Sequence, residues 1–194
     1  MPQISRHEYE ALPLRAHKFL AGIPLHDAWA VELPRTRGGV TLDAYLRTGT
    51  QLFAPSPIVR ALLRIRYAVG RPFGWDRAAA KATAAQTFAD RLTADDRARS
   101  LVPAGTRDGA FHIVYRFENE QLSELINATA HAAALSALVE TETGYRFYLA
   151  VYVRAVTPLT PVYLALVDPF RKLIVYPSLL RGVRTAWTRA LAVP

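Results

Sequence analysis

The sequence predicts a single α+β domain, with an antiparallel sheet in its second half and a long helical C-terminus. Three observations carry this. Residues 41 to 100 space their apolar side chains as helices do, residues 110 to 156 alternate with period two, and helical spacing returns after Pro158. The 194 residues suit one core, because chains divide mainly beyond roughly 250 residues. Hydrophobic residues make up 51% of them, enough apolar surface to fold around.

Residues 1 to 24 read as an irregular or helical lead-in. A first strand is expected over His26 to Leu33, ended by Pro34, with a loop at Arg35 to Val40 that contains Gly38 and Gly39. Thr41 can cap a helix through about Phe53, on which Leu42, Tyr45, Leu46 and Phe53 share a face. The next helix has the clearest signals. Ser56 is a good N-cap, Pro57 fits the first helical position, and Gly70 before Pro72 ends the element. Ile58, Leu62, Ile65 and Val69 form its apolar stripe. Asp76 then caps an alanine-rich helix through about Leu92, since alanine has the highest helix propensity.

From Ala110 onward Phe111, Ile113, Tyr115 and Phe117 alternate with His112, Val114, Arg116 and Glu118. Further strands are expected at about Leu122 to Thr129, His131 to Glu142 and Tyr145 to Val156. Their short connections imply an antiparallel meander. After Pro158, Leu166, Phe170, Leu173 and Leu180 follow helical spacing, and Val183 and Trp187 extend it. Pro169 and Pro177 should divide this stretch into two or three pieces along one axis, because each removes a backbone donor.

Composition excludes several kinds of chemistry. With no cysteine there are no disulfides, thiolate metal sites or Cys nucleophile, which suits a cytoplasmic setting. The opening residues lack a secretory apolar run, and Asp168, Arg171 and Lys172 interrupt the most apolar region, so a transmembrane span is not expected. A net charge of +8 makes nucleic acid or an anionic membrane conceivable partners. The arginines are dispersed and no recognition motif occurs, which argues against nucleic acid and leaves peripheral membrane contact open. The glycine-containing stretches match no phosphate-cradling fingerprint, and five scattered histidines form no HxH or HxxxH pair, so neither cofactor nor metal is expected.

The segment VYVRAVTPLTPVYLALVDPFRKLIVYPSLLRGVRTAW (151 to 187) resembles the C-terminal part of the DUF2867 family, a domain of unknown function. So do PLHDAWAVELP (24 to 34), SPIVRALLRIRYAVGRPFGW (56 to 75) and YRFENEQLSELINATAHAAALSALVE (115 to 140). The family in turn resembles the START-like, Bet v 1-like (SRPBCC) group. The resemblance implies a helix-grip fold, in which a curved sheet holds a long C-terminal helix around an apolar cavity. It also implies binding of a hydrophobic small molecule, lipid- or polyketide-like, or a cofactor-independent cyclase, dehydratase or isomerase acting on one. It carries no catalytic residue over to this chain.

Residues able to perform acid–base work must therefore come from histidine, carboxylate and tyrosine. His131 opens a strand whose Ala133 and Ala137 leave room beside an imidazole, which makes it the first candidate. Tyr148 and Tyr152 share a strand face with Arg146 and Arg154 and could position a carbonyl or phenol if that face lines the cavity. Glu140, with Glu142 on its own face, follows them as a candidate or as a cross-strand ion-pair partner. Each also has a structural reading, as a bonded strand-end histidine, core aromatics and solvated ion pairs. His26 and Asp27 look like a base and its orienting carboxylate, but adjacent residues on a regular strand point to opposite faces. His112 alternates with apolar neighbours and is weak for the same purpose.

Overall fold

A computed structural model describes residues 3–36, 38–49, 57–71, 87–126, 130–158 and 160–191. Two short helices, α1 (Arg6–Glu10) and α2 (Ala16–Phe19), form the lead-in and precede strand β1 (Leu25–Pro34). Helices α3 (Leu42–Arg47) and α4 (Pro57–Gly70) follow, then a 3₁₀ turn at Phe88–Arg91 and helix α5 (Ala94–Arg99). The strands β2 (Arg107–Asp108), β3 (Phe111–Arg116), β4 (Glu120–Ile126), β5 (His131–Thr141) and β6 (Gly144–Arg154) come next. The chain then runs through α6 (Thr160–Phe170), a π-helical turn at Arg171–Val175, and α7 (Tyr176–Leu191).

All six strands join one curved antiparallel sheet in the order β1-β6-β5-β4-β3-β2. The expected α+β class, the meander and the place of the first strand are all present. The β5–β6 hairpin needs a glycine at its corner. A Cβ on Gly144 would lie 2.5 Å from the Leu33 carbonyl oxygen and 2.9 Å from the Arg35 nitrogen, because β1 ends against this corner.

Alternation divides the sheet's side chains between two cores. On one face Trp29, Val31, Leu33, Phe147, Leu149 and Val151 pack against Tyr176, Leu180, Val183 and Trp187 of α7 and Tyr45 of α3. The Trp187 indole N–H donates to the Pro34 carbonyl at 3.0 Å and the Tyr45 hydroxyl to the Val183 carbonyl at 2.8 Å, so the polar tips of these large rings are satisfied. On the other face Ala133, Leu135, Tyr148, Ala150 and Tyr152 pack against Tyr9, Phe19, Leu20 and Phe88. The lead-in and the 3₁₀ turn are thus a second covering layer.

Local boundaries differ from the spacing in several places. Thr41 caps α3, its hydroxyl accepting from the Ala44 N–H at 3.1 Å, but the helix ends at Arg47, and residues 50–56, with the expected Ser56 cap, lie outside the described residues. Of the α4 stripe, the side chains of Ile58, Ile65 and Val69 lie outside them too. The same holds for residues 76–86 of the expected alanine-rich helix, whose described end is the 3₁₀ turn, and for 127–129 at the end of the third expected strand.

The largest difference concerns the C-terminal segment, which divides into three pieces, within the expected two or three, but lacks the expected single apolar stripe. A continuous α-helix would carry Leu173 and Leu180 on one face. The π-turn inserts an extra residue, so that Arg171 and Tyr176, five apart, point together. Upstream of it the inward positions are Thr160, Leu164, Asp168 and Arg171, while Leu166, Phe170 and Leu173 face out. Pro169, which cannot donate within α6, immediately precedes this irregularity.

Candidate functional site

Where α6 meets the start of β1, the fold places four charged or titratable side chains, His26, Asp168, Arg171 and Lys172, and the aromatic Trp29 and Tyr176 around the buried Asp27 carboxyl. The cause on the strand side is a β-bulge. Leu25 pairs with Tyr152 and Asp27 with Val151, so His26 is the extra residue. The bulge breaks the alternation that should separate His26 from Asp27. Nε2 of His26 lies 3.9 Å from Oδ2 of Asp27.

On the helix side the residues follow from spacing. Asp168, Arg171 and Lys172 are three and four apart on one side of the helix. His26 Nε2 is 2.9 and 2.8 Å from the two Asp168 oxygens, Arg171 donates to Asp168 at 2.7 Å, and Lys172 Nζ stands at 3.6 Å. The second Arg171 amino group donates to the Tyr176 hydroxyl and lies 3.7 Å from Asp27 Oδ2. In an α-helix residues five apart would diverge by about 140°. The π-turn therefore lets one guanidinium bridge Asp168, Tyr176 and Asp27.

Exposure falls from Lys172 inward to Asp27, whose side chain is 0% exposed. Neither Asp27 oxygen has a hydrogen-bond donor among the described residues, and the buried Trp29 indole N–H, two residues along the same strand face, likewise has no acceptor among them. The Trp29 ring lies 5.4 Å from that of Tyr176. Burial raises the Asp27 pKa, opposed by Arg171 and His26. Burial would raise Asp168 too, but the His26 hydrogen bond and the charges of Arg171, His26 and Lys172 outweigh it and hold that carboxyl below its usual range. Arg171 is desolvated, yet Tyr176, Asp27 and Asp168 together keep its pKa raised. The two carboxyls are thus shifted in opposite directions, Asp27 upward by burial and Asp168 downward by its His26 hydrogen bond and cationic neighbours. A carboxylate only accepts, so His26 donates through Nε2, leaving Nδ1 without a partner among the described residues.

The residues singled out from the sequence lie elsewhere. His131 is fully buried on the opposite face, its ring 4.1 Å from that of Phe88. Arg154 donates to its Nδ1 at 3.1 Å, so Nε2 carries the hydrogen and donates to Glu124 Oε2 at 3.0 Å. Glu124 Oε2 also accepts the Phe88 N–H at 2.9 Å. Both ring nitrogens are therefore occupied by protein groups. Tyr152 shares this face and donates to the Tyr9 hydroxyl at 3.1 Å. Tyr148 is also on it, with Arg146 stacked 5.3 Å from its ring centroid. Glu140 is exposed, on the other face and near the far end of β5. The structure brings His131 and Tyr152 onto one face and leaves Glu140 apart from them.

His112 is exposed on β3. Among the described residues no group of three or more His, Asp or Glu side chains is arranged to hold a metal ion. The His26–Asp27 pair was visible in the sequence, but its partner Asp168 lies 142 positions away, and the bulge that aims both side chains has no sequence signature.

A family model described as a protein of unknown function, DUF2867, matches residues 19–178, a span that includes His26, Asp27, Asp168, Arg171 and Tyr176. No curated protein and no solved structure matches the chain.

Proposed function

The chain belongs to the DUF2867 family, which is described by no function, and we propose from the chain's own residues that it binds a hydrophobic small molecule between the sheet and the C-terminal helical segment. The observation that carries this reading is the buried Asp27 carboxyl with no hydrogen-bond donor among the described residues and, two residues along the same strand face, a buried Trp29 N–H with no acceptor among them. Leaving such groups unpaired costs about 1–3 kcal/mol each, so a native site retains them when something else completes them. A hydroxyl does both, donating to Asp27 and accepting from Trp29. The proposed ligand class is therefore an apolar molecule bearing a hydroxyl, its body against Trp29 and Tyr176 and its polar end at Asp27. The curved sheet with its long C-terminal helical segment is consistent with a helix-grip arrangement, which adds support by analogy of fold.

The test is native mass spectrometry of the protein purified from its own host, with Asp27→Ala beside it. A co-purifying apolar molecule is expected, its occupancy at least about tenfold lower in the variant, since a hydrogen bond to a charged group contributes about 1.5–3 kcal/mol. If no molecule co-purifies and no apolar probe binds saturably, or Asp27→Ala binds as wild type does, the reading is wrong.

A second reading, an enzyme acting on the same molecule, is favoured by the His26–Asp168 contact. An imidazole oriented by an ionised carboxylate can move a proton on a bound substrate. Cyclisation, dehydration or isomerisation would need no cofactor. His131 could take part only by giving up Glu124 or Arg154. Loss of turnover in His26→Ala with ligand binding retained would separate the enzyme from the binding protein.

A further inference from the structure

The first half of the C-terminal segment is built inside out, and we propose that its outer face docks the protein on an anionic lipid surface. Val162, Leu166, Phe170 and Leu173 recur at helical spacing and are 66%, 60%, 49% and 77% exposed. Among the described residues the only other large apolar side chain exposed is Leu101, so the stripe is a concentrated feature rather than a general property of the surface. The polar residues that would normally face water here, Asp168 and Arg171, face the protein instead and satisfy each other and His26. Turning the helix over would strand those charges, so the site described above fixes the apolar face outward.

Charge selects the occupant. Beyond the π-turn the exposed positions of α7 become basic, Arg181 and Arg184 among them. From residue 160 to 191 the sequence holds Arg171, Lys172, Arg181, Arg184 and Arg189 against the single acid Asp168, within a chain of net charge +8. A second copy would bring the same cations against these and be repelled. The stripe runs over twelve residues, about 16 Å of helix, a small footprint beside the roughly 800 Å² that a stable protein interface buries on each partner. Nucleic acid has nothing to offer four apolar side chains. An apolar stripe continued by arginines matches a surface of acidic headgroups over hydrocarbon, into which such a face sinks about 5–10 Å. No described helix is long and apolar enough to cross a membrane, so the contact is interfacial.

The experiment is co-sedimentation of the full chain with phosphatidylcholine vesicles and with vesicles that also contain phosphatidylserine. Binding is expected only to the second and is expected to weaken as salt rises. Leu166→Ser with Leu173→Ser should lower partitioning at least about tenfold. Arg181→Gln with Arg184→Gln should lower it about tenfold and flatten the salt dependence. Circular dichroism checks each fold, and Val162→Ser with Phe170→Ser serves if the leucine pair fails to fold. The proposal is overturned if the protein ignores phosphatidylserine, or if folded serine variants bind as wild type does. It is equally overturned if light scattering shows a dimer that the leucine substitutions dissociate while neither form binds vesicles.

Discussion

Asp27 is a residue whose fold-state chemistry runs against stability. Burial raises its pKa above the ordinary 3.8, so folding takes up protons there and stability declines as pH rises through the interval between the unfolded and folded values. Asp27→Asn keeps the shape and removes the ionisation. It should match or exceed wild type in thermal stability at pH 7, with the difference vanishing well below the ordinary carboxyl value of 3.8, where both states are protonated; melting curves on the two sides of that value check this. His131 behaves oppositely. It joins Glu124 to Arg154 under the Phe88 ring, and removing one member of such a buried set costs about 3–5 kcal/mol. His131→Ala should therefore lower the denaturant midpoint markedly, whereas a purely catalytic histidine would leave it in place. Both residues were legible as chemistry in the sequence. What alternation could not convey was that a single bulged position would aim His26 and Asp27 together, and that Glu124 and Arg154 would occupy both nitrogens of His131.

Among the elements, α7 is the one whose packing is easiest to read, because Tyr176, Leu180, Val183 and Trp187 recur on one side and all are buried. Leu180 is wholly enclosed, so Leu180→Ala should cost about 2–5 kcal/mol. Urea unfolding measures it, and a loss below about 1 kcal/mol would mean that α7 is loosely seated. The strands were equally legible from their period. The π-turn was not. Proline marked an interruption of the helix without saying whether it would kink or take in an extra residue, and that difference decides which way Leu166, Phe170 and Leu173 point. The apolar spacing of the segment is real, but its two halves serve opposite sides.

For the molecule as a whole, the sheet is the middle of three layers, and the lead-in is structural. Ile4, Tyr9, Ala16, Phe19, Leu20 and Ile23 close the face opposite α7, and Glu120 accepts the Arg15 N–H at 3.1 Å just ahead of α2. Deleting residues 1–24 should bare that face and yield a protein that aggregates or binds an apolar dye strongly; a well-folded, dye-silent truncation would show that the layer is dispensable. The sequence announced the lead-in only as helical or irregular, because four- and five-residue helices held by tertiary contacts carry little periodic signal.

The pairing of β1 with β6 also sets an order of events during synthesis. Strands β3 to β6 can zip as successive hairpins, each closing a short loop soon after it emerges. Strand β1 is made early, yet its partner appears more than a hundred residues later. A nascent chain therefore carries Trp29, Val31 and Leu33 unpaired through most of translation, and the edge beside β6 is filled only when the last strand has left the ribosome.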